Sequence, residues 1–270
     1  MNTQEIIPRA DFTIDQPVER YTDADHSVWQ TLYERQSALL EGRACDAYLA
    51  GLHALNMGAD RVPVFAELNQ RLMAATGWQI VAVTGLVPDD VFFEHLANRR
   101  FPVTWWMRSA EQMDYLQEPD CFHDVFGHVP LLINPIFADY MQSYGEGGLK
   151  AAHLNVLPLL ARLYWYTVEF GLIQTPAGLR IYGAGIVSSK TESIYALESD
   201  VPHRIGFDLS RILRTEYKID DVQKCYFVIN DFQQLFAETS QDFTLLYECL
   251  KNLPKFAPSD VLMTDNLLNK

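Results

Sequence analysis

The sequence predicts one mostly helical domain with a few short strands. Apolar residues recur at helical spacing through three early stretches, 26–40, 45–57 and 64–75. A run rich in β-branched residues, 78–83, is the clearest strand candidate and lies between turn residues. No internal repeat, low-complexity tract or long linker divides the 270 residues, a length that suits one large domain.

The two ends of the chain differ from its middle. Residues 1–25 contain Pro8 and Pro17 among polar residues, which predicts an extended N-terminal arm. Helical spacing begins at His26, so we assign residues 26–262 to the functional domain and residues 263–270 to a short polar tail.

Proline, glycine and capping residues mark the elements that follow. Ser189 and Glu192 have the spacing of a capping box, which predicts the start of a helix. The other predicted elements are a helix from Pro88 through Leu96, an extended segment from Phe101 to Met107, a helix from Pro135 to Tyr144 closed by the glycines of 145–148, a hairpin around 174–179, a strand from Cys225 to Ile229 and one long helix from Asp231 to Leu250.

Composition and charge restrict the class of protein. The chain is 49% hydrophobic and 21% charged, as is typical of a soluble globular protein. Its net charge of −14 argues against a nucleic acid or an anionic membrane as partner, because both attract basic surfaces. There is no C-x-x-C pair and no apolar signal segment, and no apolar run approaches the roughly 20 residues of a membrane span. These features predict a cytoplasmic protein with reduced thiols.

The most informative stretch is EPDCFHDVFGHVP, which ends at Pro130. Pro119 suits the first position of a helix. The stretch contains His123 and His128, five positions apart. On an unbroken α-helix such residues point roughly 140° away from each other. We therefore expect Gly127 and Pro130 to end the helical path and to turn His128 back toward His123.

A carboxylate follows in a window that is apolar nearly all round, from Leu159 to Gly171. Such a window is typical of a buried helix, where Glu169 is costly unless it is paired or bound to a metal. Arg162 lies two turns earlier on the same face and offers an ion pair. Alternatively, two histidines and one carboxylate form the facial triad of non-haem Fe(II) oxygenases, and the same set also binds catalytic zinc. The residues alone leave a metal site and a structural ion pair open.

Three segments together carry a resemblance to a known family. They are the segment with His123 and His128, the run YWYTVEFG ending at Gly171, and the run from Tyr182 to Glu192 that contains YGAG and a Ser-Ser pair. In order and spacing, over about residues 20–260, they resemble the aromatic amino acid hydroxylases, which are tetrahydropterin-dependent Fe(II) monooxygenases. The resemblance is greatest to single-domain bacterial members. It implies a helical basket around a non-haem iron, with a tetrahydropterin as cofactor and O2 as co-substrate.

The resemblance also implies roles for individual residues. The iron ligands would be His123, His128 and Glu169, and Ser188 would orient a ligand histidine. The planar fork of Arg108 would bind the substrate carboxylate, with Asp120 holding it in place. The substrate site as a whole would comprise Arg108, Pro119, Asp120, Trp165, Gly185 and Ser188. The pterin site would comprise Gly85, Leu86, Val87, Phe92, Asp124 and Tyr164.

Three positions depart from the animal members of the family. Asp124 stands where they usually have Glu, one methylene longer, so its reach toward the pterin is shorter. Leu116 replaces a hydroxyl residue that helps to hold the substrate, and Pro102 replaces a histidine that stacks near the pterin. We expect these two contacts to be lost.

Two residues bear on the choice of substrate. Trp165 stands where the tryptophan-hydroxylating branch resembles this segment with Phe, and Ile219 stands in a loop where tyrosine-hydroxylating relatives carry an acidic residue. Both favour the hydroxylation of L-phenylalanine to L-tyrosine, with tryptophan or tyrosine as alternative substrates. The resemblance further implies coupling to a pterin-4a-carbinolamine dehydratase and a dihydropteridine reductase, and a monomer or small homo-oligomer.

Two alternative hypotheses lie outside the family. A zinc-dependent hydrolase could use the same three ligands, although the sequence contains no H-E-x-x-H motif. A non-enzymatic ligand-binding module would instead contain the Arg162–Glu169 ion pair and no metal.

Overall fold

The computed structural model describes residues 6–114 and 116–268, so the first five residues of the predicted arm and the last two of the predicted tail lie outside the described residues. Within them, the predicted mostly helical fold with a few short strands is confirmed. The α-helices are α1 (Asp23–Leu40), α2 (Asp46–Ala54), α3 (Phe65–Thr76), α4 (Asp89–Ala97), α5 (Pro135–His153), α6 (Leu157–Tyr164), α7 (Ala184–Val187), α8 (Lys190–Glu198), α9 (Leu209–Arg214), α10 (Phe232–Thr239) and α11 (Thr244–Leu250). The strands are β1 (Thr13–Ile14), β2 (Gln79–Val83), β3 (Arg100–Thr104), β4 (Leu172–Thr175), β5 (Gly178–Ile181), β6 (His203–Gly206) and β7 (Cys225–Ile229).

A three-stranded sheet, ordered β1-β2-β3, directs two loops to one place. The arm supplies β1, which pairs antiparallel with β2, and Thr13 lies opposite Val83. Strands β2 and β3 are parallel, with Val83 opposite Thr104. Because parallel strands end at the same edge of a sheet, the loop after β2 and the segment that leads to Arg108 start side by side.

The second sheet has four strands in the order β5-β4-β7-β6. The predicted hairpin around 174–179 is formed by the antiparallel pair β4 and β5. All five residues of β7 are buried, as a central strand requires. The C-terminal segment runs beside β6, where the Gly206 N–H donates to the Asn266 carbonyl at 2.8 Å. The tail is therefore held against the sheet at this point.

Helix α5 continues beyond the predicted end at Tyr144, and the prediction that the glycines of 145–148 close it is wrong. These glycines lie inside the helix because α4 packs closely against it. A Cβ on Gly145 would lie 2.4 Å from the backbone nitrogen of Ala97, and a Cβ on Gly148 would lie 2.0 Å from Cδ1 of Phe93. The glycines permit a close helix–helix approach that a larger residue would prevent.

The predicted single helix from Asp231 to Leu250 is also wrong, because α10 and α11 are separated by residues 240–243. Asp242 sets the break. Its Oδ1 accepts from the Thr244 N–H at 2.9 Å, and its Oδ2 pairs with Lys150 on α5 at 2.6 Å. An Asp side chain that binds nearby backbone N–H groups favours a new helix start.

The core lies directly beneath the segment with the two histidines. Phe122 and Phe126 are fully buried and stacked, with ring centroids 4.8 Å apart, and Trp29 meets Phe122 edge-on at 5.4 Å. Aromatic packing of this kind fixes the backbone of the segment. Among the described helices, none combines the length and the apolar character that crossing a bilayer requires.

Candidate active site

The segment from His123 to His128 is a π-helix. Its N–H groups bond to carbonyls five residues back, so side chains five apart lie on nearly the same face. The predicted turn of His128 toward His123 is confirmed, but the predicted cause, a break in the helical path at Gly127 and Pro130, is wrong. His128 keeps a helical backbone, at φ −93° and ψ −41°. The two imidazoles converge because the helix widens, not because it ends.

Gly127 is needed for a different reason. A Cβ at this position would lie 3.0 Å from the carbonyl oxygen of Ala184 and 3.1 Å from its Cβ. The π-helical segment therefore packs directly against α7, which ends one residue before Ser188. Glycine at 127 lets the histidine segment and the Ser188 segment come into contact.

Asp120, and not Pro119, occupies the start of the histidine-bearing helix. The His123 N–H donates to Asp120 Oδ1 at 3.0 Å, which is the geometry of an N-cap. The prediction that Pro119 takes the first helical position is wrong by this criterion, since the helix begins at Cys121. Pro119 is half-buried and directly precedes Asp120.

A second π-helical segment, Trp165–Glu169, follows α6 and carries the carboxylate. The widened turn directs Glu169 toward the two histidines. Arg162 instead donates from Nη1 to the Leu213 carbonyl at 3.2 Å. The alternative of a structural Arg162–Glu169 ion pair is therefore wrong, because the two side chains face different partners.

The three candidate ligands present their donor atoms to one point. The Nε2 atoms of His123 and His128 are 3.2 Å apart. Glu169 Oε1 lies 3.2 Å from His128 Nε2, and Glu169 Oε2 lies 3.6 Å from His123 Nε2. Metal–nitrogen bonds of about 2.1 Å at right angles place neighbouring donors about 3 Å apart. The set therefore fits three adjacent positions on one metal ion, which leaves the opposite face for other ligands.

Ser188 fixes the tautomer of His123. The Ser188 hydroxyl donates to the Ala184 carbonyl at 2.7 Å, so it must accept at 3.0 Å from the Nδ1–H of His123. The hydrogen bond leaves the lone pair on His123 Nε2, which faces the other two ligands. Burial lowers the pKa of His123 to about 4, so the ring is neutral and ready to bind a metal.

Ser188→Ala is expected to weaken iron binding by about 10- to 100-fold, the usual effect of losing a group that orients a metal ligand. The change removes the acceptor of the His123 Nδ1–H and lets the ring take the tautomer that protonates Nε2. Titration of the metal-free protein with Fe(II) measures the effect. Ser189→Ala, which removes the cap of α8 from the adjacent position, is the matched control. Equal iron affinity in both variants would contradict the orienting role.

Charge in the site is balanced by mutual contacts. Burial alone would raise the pKa of Glu169, but the charge and hydrogen bond of His128 outweigh it and lower that pKa. The backbone amide of Gly185 acts in the same direction and also lowers the pKa of Glu169. Burial alone would lower the pKa of His128. The charge and hydrogen bond of Glu169 outweigh this effect, so the pKa of His128 is raised. Glu169 is thus held ionised beside the imidazoles.

Arg108 and Asp120 form a bidentate pair, as the resemblance to the family implied. Arg108 Nε donates to Asp120 Oδ2 at 2.8 Å and Nη2 donates to Oδ1 at 2.7 Å. Asp120 has no exposed surface and Arg108 is 8% exposed. Burial would raise the pKa of Asp120, but Arg108 overcomes it and lowers that pKa. The pair leaves the Nη1 side of the guanidinium for a further anion, since its one hydrogen bond to a described residue is a long one of 3.4 Å to the Met113 carbonyl.

The residues assigned to the pterin site fall into two groups. Tyr164 lies along His128 with centroids 6.3 Å apart, and Phe92 meets Tyr164 edge-on at 6.0 Å. Asp124 is buried, and its Oδ2 accepts from the Thr104 N–H at the end of β3 at 2.7 Å. Burial raises the pKa of Asp124 to about 7. The second group is the turn after β2, Gly85, Leu86 and Val87, which starts from the same sheet edge as Thr104.

The fold places all three departures from the animal members of the family. Pro102 is buried in β3 opposite Val81. Because β3 is an edge strand with β2 as its one neighbour in the sheet, a proline without an N–H is tolerated there. Leu116 is half-buried in the loop before Pro119. Asp124 reaches the backbone of Thr104, so its shorter side chain already has a partner.

The predicted pocket residues Trp165 and Gly185 share a neighbour that sequence reasoning missed. Phe170 lies 4.7 Å from the Trp165 ring, and a Cβ on Gly185 would lie 2.9 Å from its Cζ. Tyr217 also stacks on Trp165, with ring centroids 4.3 Å apart and the ring planes 13° from parallel. Neither contact could be found from the sequence. Phe170 is one of several aromatic residues in an apolar run, and no local pattern connects Tyr217 with Trp165.

Comparison with known proteins decides the family. A sequence profile described as biopterin-dependent aromatic amino acid hydroxylase matches residues 9–249. The chain belongs to this family. The hydroxylase fold and the cofactor class that the resemblance implied are thereby confirmed, and the zinc-hydrolase and non-enzymatic alternatives are set aside.

Individual members of the hydroxylase family are similar over nearly the whole chain. A phenylalanine-4-hydroxylase of Ralstonia nicotianae is 69% identical over 97% of this chain and 83% of the relative, and one of Chromobacterium violaceum is 65% identical over 96% and 87%. A crystal structure of the C. violaceum enzyme with iron and phenylalanine bound matches with a TM-score of 0.93 at 62% identity, over 96% of this chain and 94% of that chain. The cobalt-bound form matches with a TM-score of 0.96 at 64% identity, over 97% and 95%.

Proposed function

We propose that this protein is a phenylalanine 4-monooxygenase that converts L-phenylalanine to L-tyrosine with O2 and a tetrahydropterin at a mononuclear Fe(II). The observation that carries the proposal is the convergence of His123, His128 and Glu169 on one point, next to a buried guanidinium and an aromatic wall. Relatives at 58–69% identity bear the name phenylalanine-4-hydroxylase, which supports the choice of substrate.

Iron and tetrahydropterin, when bound, supply the activation of dioxygen. The residues of the chain hold and orient the reactants. His123, His128 and Glu169 would bind the metal on one face, and Ser188 keeps the lone pair of His123 directed at it. The aromatic surroundings exclude water and place the substrate ring near the open metal face.

Arg108 would bind the substrate carboxylate through the side that Asp120 leaves open. Its Nε and one Nη atom are fixed, so the guanidinium plane cannot rotate. A fork held in one plane recognises a carboxylate with little loss of side-chain entropy. Pro119, Trp165, Gly185 and Ser188 would complete the amino-acid site.

The pterin would lie against Phe92 and Tyr164, apart from the residues assigned to the amino acid. Asp124 would supply a polar contact, and the turn from Gly85 to Val87 would supply backbone contacts. Leu86 is 76% exposed in this turn. Its side chain is therefore accessible to a bound cofactor.

Arg108→Lys is expected to raise the KM for phenylalanine by about 10- to 100-fold, the loss of one charge-assisted contact. Lysine keeps the charge that balances Asp120 but lacks the planar fork. A residue that contributes uniform binding changes KM with little change in kcat. Steady-state kinetics measure both constants.

The control for this prediction is a ligand without a carboxylate. Competitive inhibition by 2-phenylethylamine should be the same in the wild type and in Arg108→Lys, because the amine gives Arg108 nothing to bind. Arg61→Lys, which alters an exposed pair with Glu67, should leave both constants unchanged. An unchanged KM in Arg108→Lys, or an equal loss of amine binding, would refute the carboxylate-binding role.

The function itself is tested by one assay. Metal-free protein is mixed with phenylalanine, a tetrahydropterin and air, Fe(II) or Zn(II) is added back, and tyrosine is followed. Tyrosine that forms only with iron and pterin together supports the proposal. No tyrosine at confirmed iron occupancy would refute phenylalanine as the substrate, and product from tryptophan or tyrosine would then identify the alternative.

The setting of the enzyme follows from the same proposal. Residues 26–262 would form the catalytic domain. Three of the four cysteines are buried and all four are free, which favours the reducing cytoplasm. Continued turnover would require a pterin-4a-carbinolamine dehydratase and a dihydropteridine reductase to restore the cofactor. We propose a monomer or small homo-oligomer, which sedimentation of the purified protein would distinguish.

A further inference from the structure

Gln223 contacts Trp165, a predicted residue of the amino-acid site that forms an aromatic wall together with Phe170 and Tyr217. Gln223 itself lies outside the two segments that carry the metal ligands. Its Oε1 accepts from the indole N–H of Trp165 at 2.9 Å. Gln223 is only 4% exposed, and 58 positions separate it from Trp165 in the chain. This is the one hydrogen bond that the Trp165 indole can donate. Its direction therefore fixes the rotation of the ring about its own plane.

The rest of Gln223 is fully engaged. Its Nε2 donates to the carbonyls of Lys218 and Asp221, both at 3.2 Å. These two carbonyls flank the exposed Ile219, the residue that bears on substrate choice. A side-chain amide that uses both donors and its acceptor in a buried site has a single orientation.

The backbone of Gln223 is anchored as well. Its N–H donates to Glu192 Oε1 at 3.1 Å, and the Tyr226 hydroxyl donates to the same oxygen. Glu192 is 5% exposed and lies in the first turn of α8, which starts two residues after Ser188. The capping box predicted here is therefore half-formed, because Ser189 caps the helix while Glu192 turns inward to Gln223.

We propose that Gln223, itself held by the carbonyls of the 218–221 loop, is a positioning residue for substrate binding that acts by setting the orientation of Trp165. The inference rests on the proposed function, since it takes Trp165 to face the substrate ring. Trp165 packs against both Phe170 and Tyr217, so its ring plane is set by packing and its remaining rotation by this hydrogen bond. Loss of the bond would loosen the wall without removing any group that touches iron.

The test is a double-mutant cycle of Gln223→Met and Trp165→Phe, with kcat, KM for phenylalanine and bound iron measured in each protein. Gln223→Met keeps the volume of the side chain and removes its acceptor and donors. The expected result is a KM raised about three- to tenfold, the effect of one neutral hydrogen bond, with iron content and kcat unchanged. In the Trp165→Phe background, which lacks the indole N–H, Gln223→Met should raise KM no further.

A merely structural role gives a different pattern. General loosening by Gln223→Met would act in both backgrounds, so the two effects on KM would multiply. That result, or an unchanged KM in Gln223→Met, would overturn the proposal. Gln30→Met, the same substitution on the exposed face of α1, is the matched control and should change nothing.

Two further measurements keep the proposal testable if Gln223→Met does not fold. Gln223→Asn retains the amide but is one methylene too short to reach the indole. It should raise KM as much as Gln223→Met does, and it should raise KM no further in the Trp165→Phe background. In the wild type, the indole N–H signal that disappears in Trp165→Phe should exchange slowly with solvent, and rapid exchange would overturn the proposal. Absence of tyrosine formation in the wild type would instead refute the proposed function, and the exchange measurement does not depend on it.

Discussion

Replacement of Glu169 by Gln is expected to weaken iron binding by more than about 100-fold, beyond the effect of a residue that only orients a ligand, and to abolish tyrosine formation. The two carboxylate oxygens lie 3.2 Å and 3.6 Å from the Nε2 atoms of His128 and His123. A neutral amide is a poorer ligand for Fe(II), and its N–H group can donate to the lone pairs that should bind the metal. Iron stoichiometry after dialysis against Fe(II) measures the effect directly.

Glu67→Gln is the matched control for this change. Glu67 makes an exposed pair with Arg61, and such pairs contribute about 0–1 kcal/mol to stability. The control should bind iron and form tyrosine at wild-type levels. If Glu169→Gln also retained stoichiometric iron and full activity, Glu169 could not belong to the ligand set.

The ligand set could be predicted from the sequence because each member is chemically conspicuous. Glu169 stands in a helix that is otherwise apolar, where a carboxylate needs a partner. His123 and His128 stand together in a short segment with a glycine and a proline. Residue type and spacing were sufficient to choose these side chains. They were not sufficient to choose between the Arg162 ion pair and the metal, and the resemblance to the family was needed for that.

The geometry that brings the ligands together could not be predicted in the same way. Both ligand segments are π-helical, and a widened turn has no characteristic residue pattern. Contacts with distant parts of the chain accompany it here, such as the packing of Gly127 on Ala184 and the hydrogen bond from His123 to Ser188. Local spacing contains no information on such contacts.

The same limit explains the errors in the helices. Glycine lowers helix propensity by about 1 kcal/mol relative to alanine, so the run at 145–148 indicates a helix end when it is considered alone. In the structure α4 packs against Gly145 and Gly148 of α5 so closely that neither position has room for a Cβ. Gln223 was missed for a related reason. A single glutamine in a polar stretch gives no local signal of its bond to Trp165, which is made across the fold.

Replacement of Asp120 by Ala is expected to lower the free energy of unfolding by about 3–5 kcal/mol, because it leaves a buried guanidinium without its counter-charge. Asp120 has no exposed surface and makes two hydrogen bonds to the Arg108 side chain. It also accepts from the backbone N–H groups of Arg108 and His123 at 3.0 Å each. One side chain thus fixes both the proposed substrate-binding guanidinium and the first turn of the ligand helix. Urea unfolding of the metal-free protein measures the loss.

Asp120→Asn separates the two roles of this carboxylate. Asparagine keeps an acceptor for the His123 N–H but removes the charge, so it should be less destabilising than alanine by about 1 kcal/mol, the usual contribution of a helix cap. Asp15→Ala, which breaks an exposed pair with Arg9, should cost about 0–1 kcal/mol. If Asp120→Ala cost no more than Asp15→Ala, the Arg108 plane would have to be set by other groups. Its fit to a carboxylate would then arise only when the substrate binds.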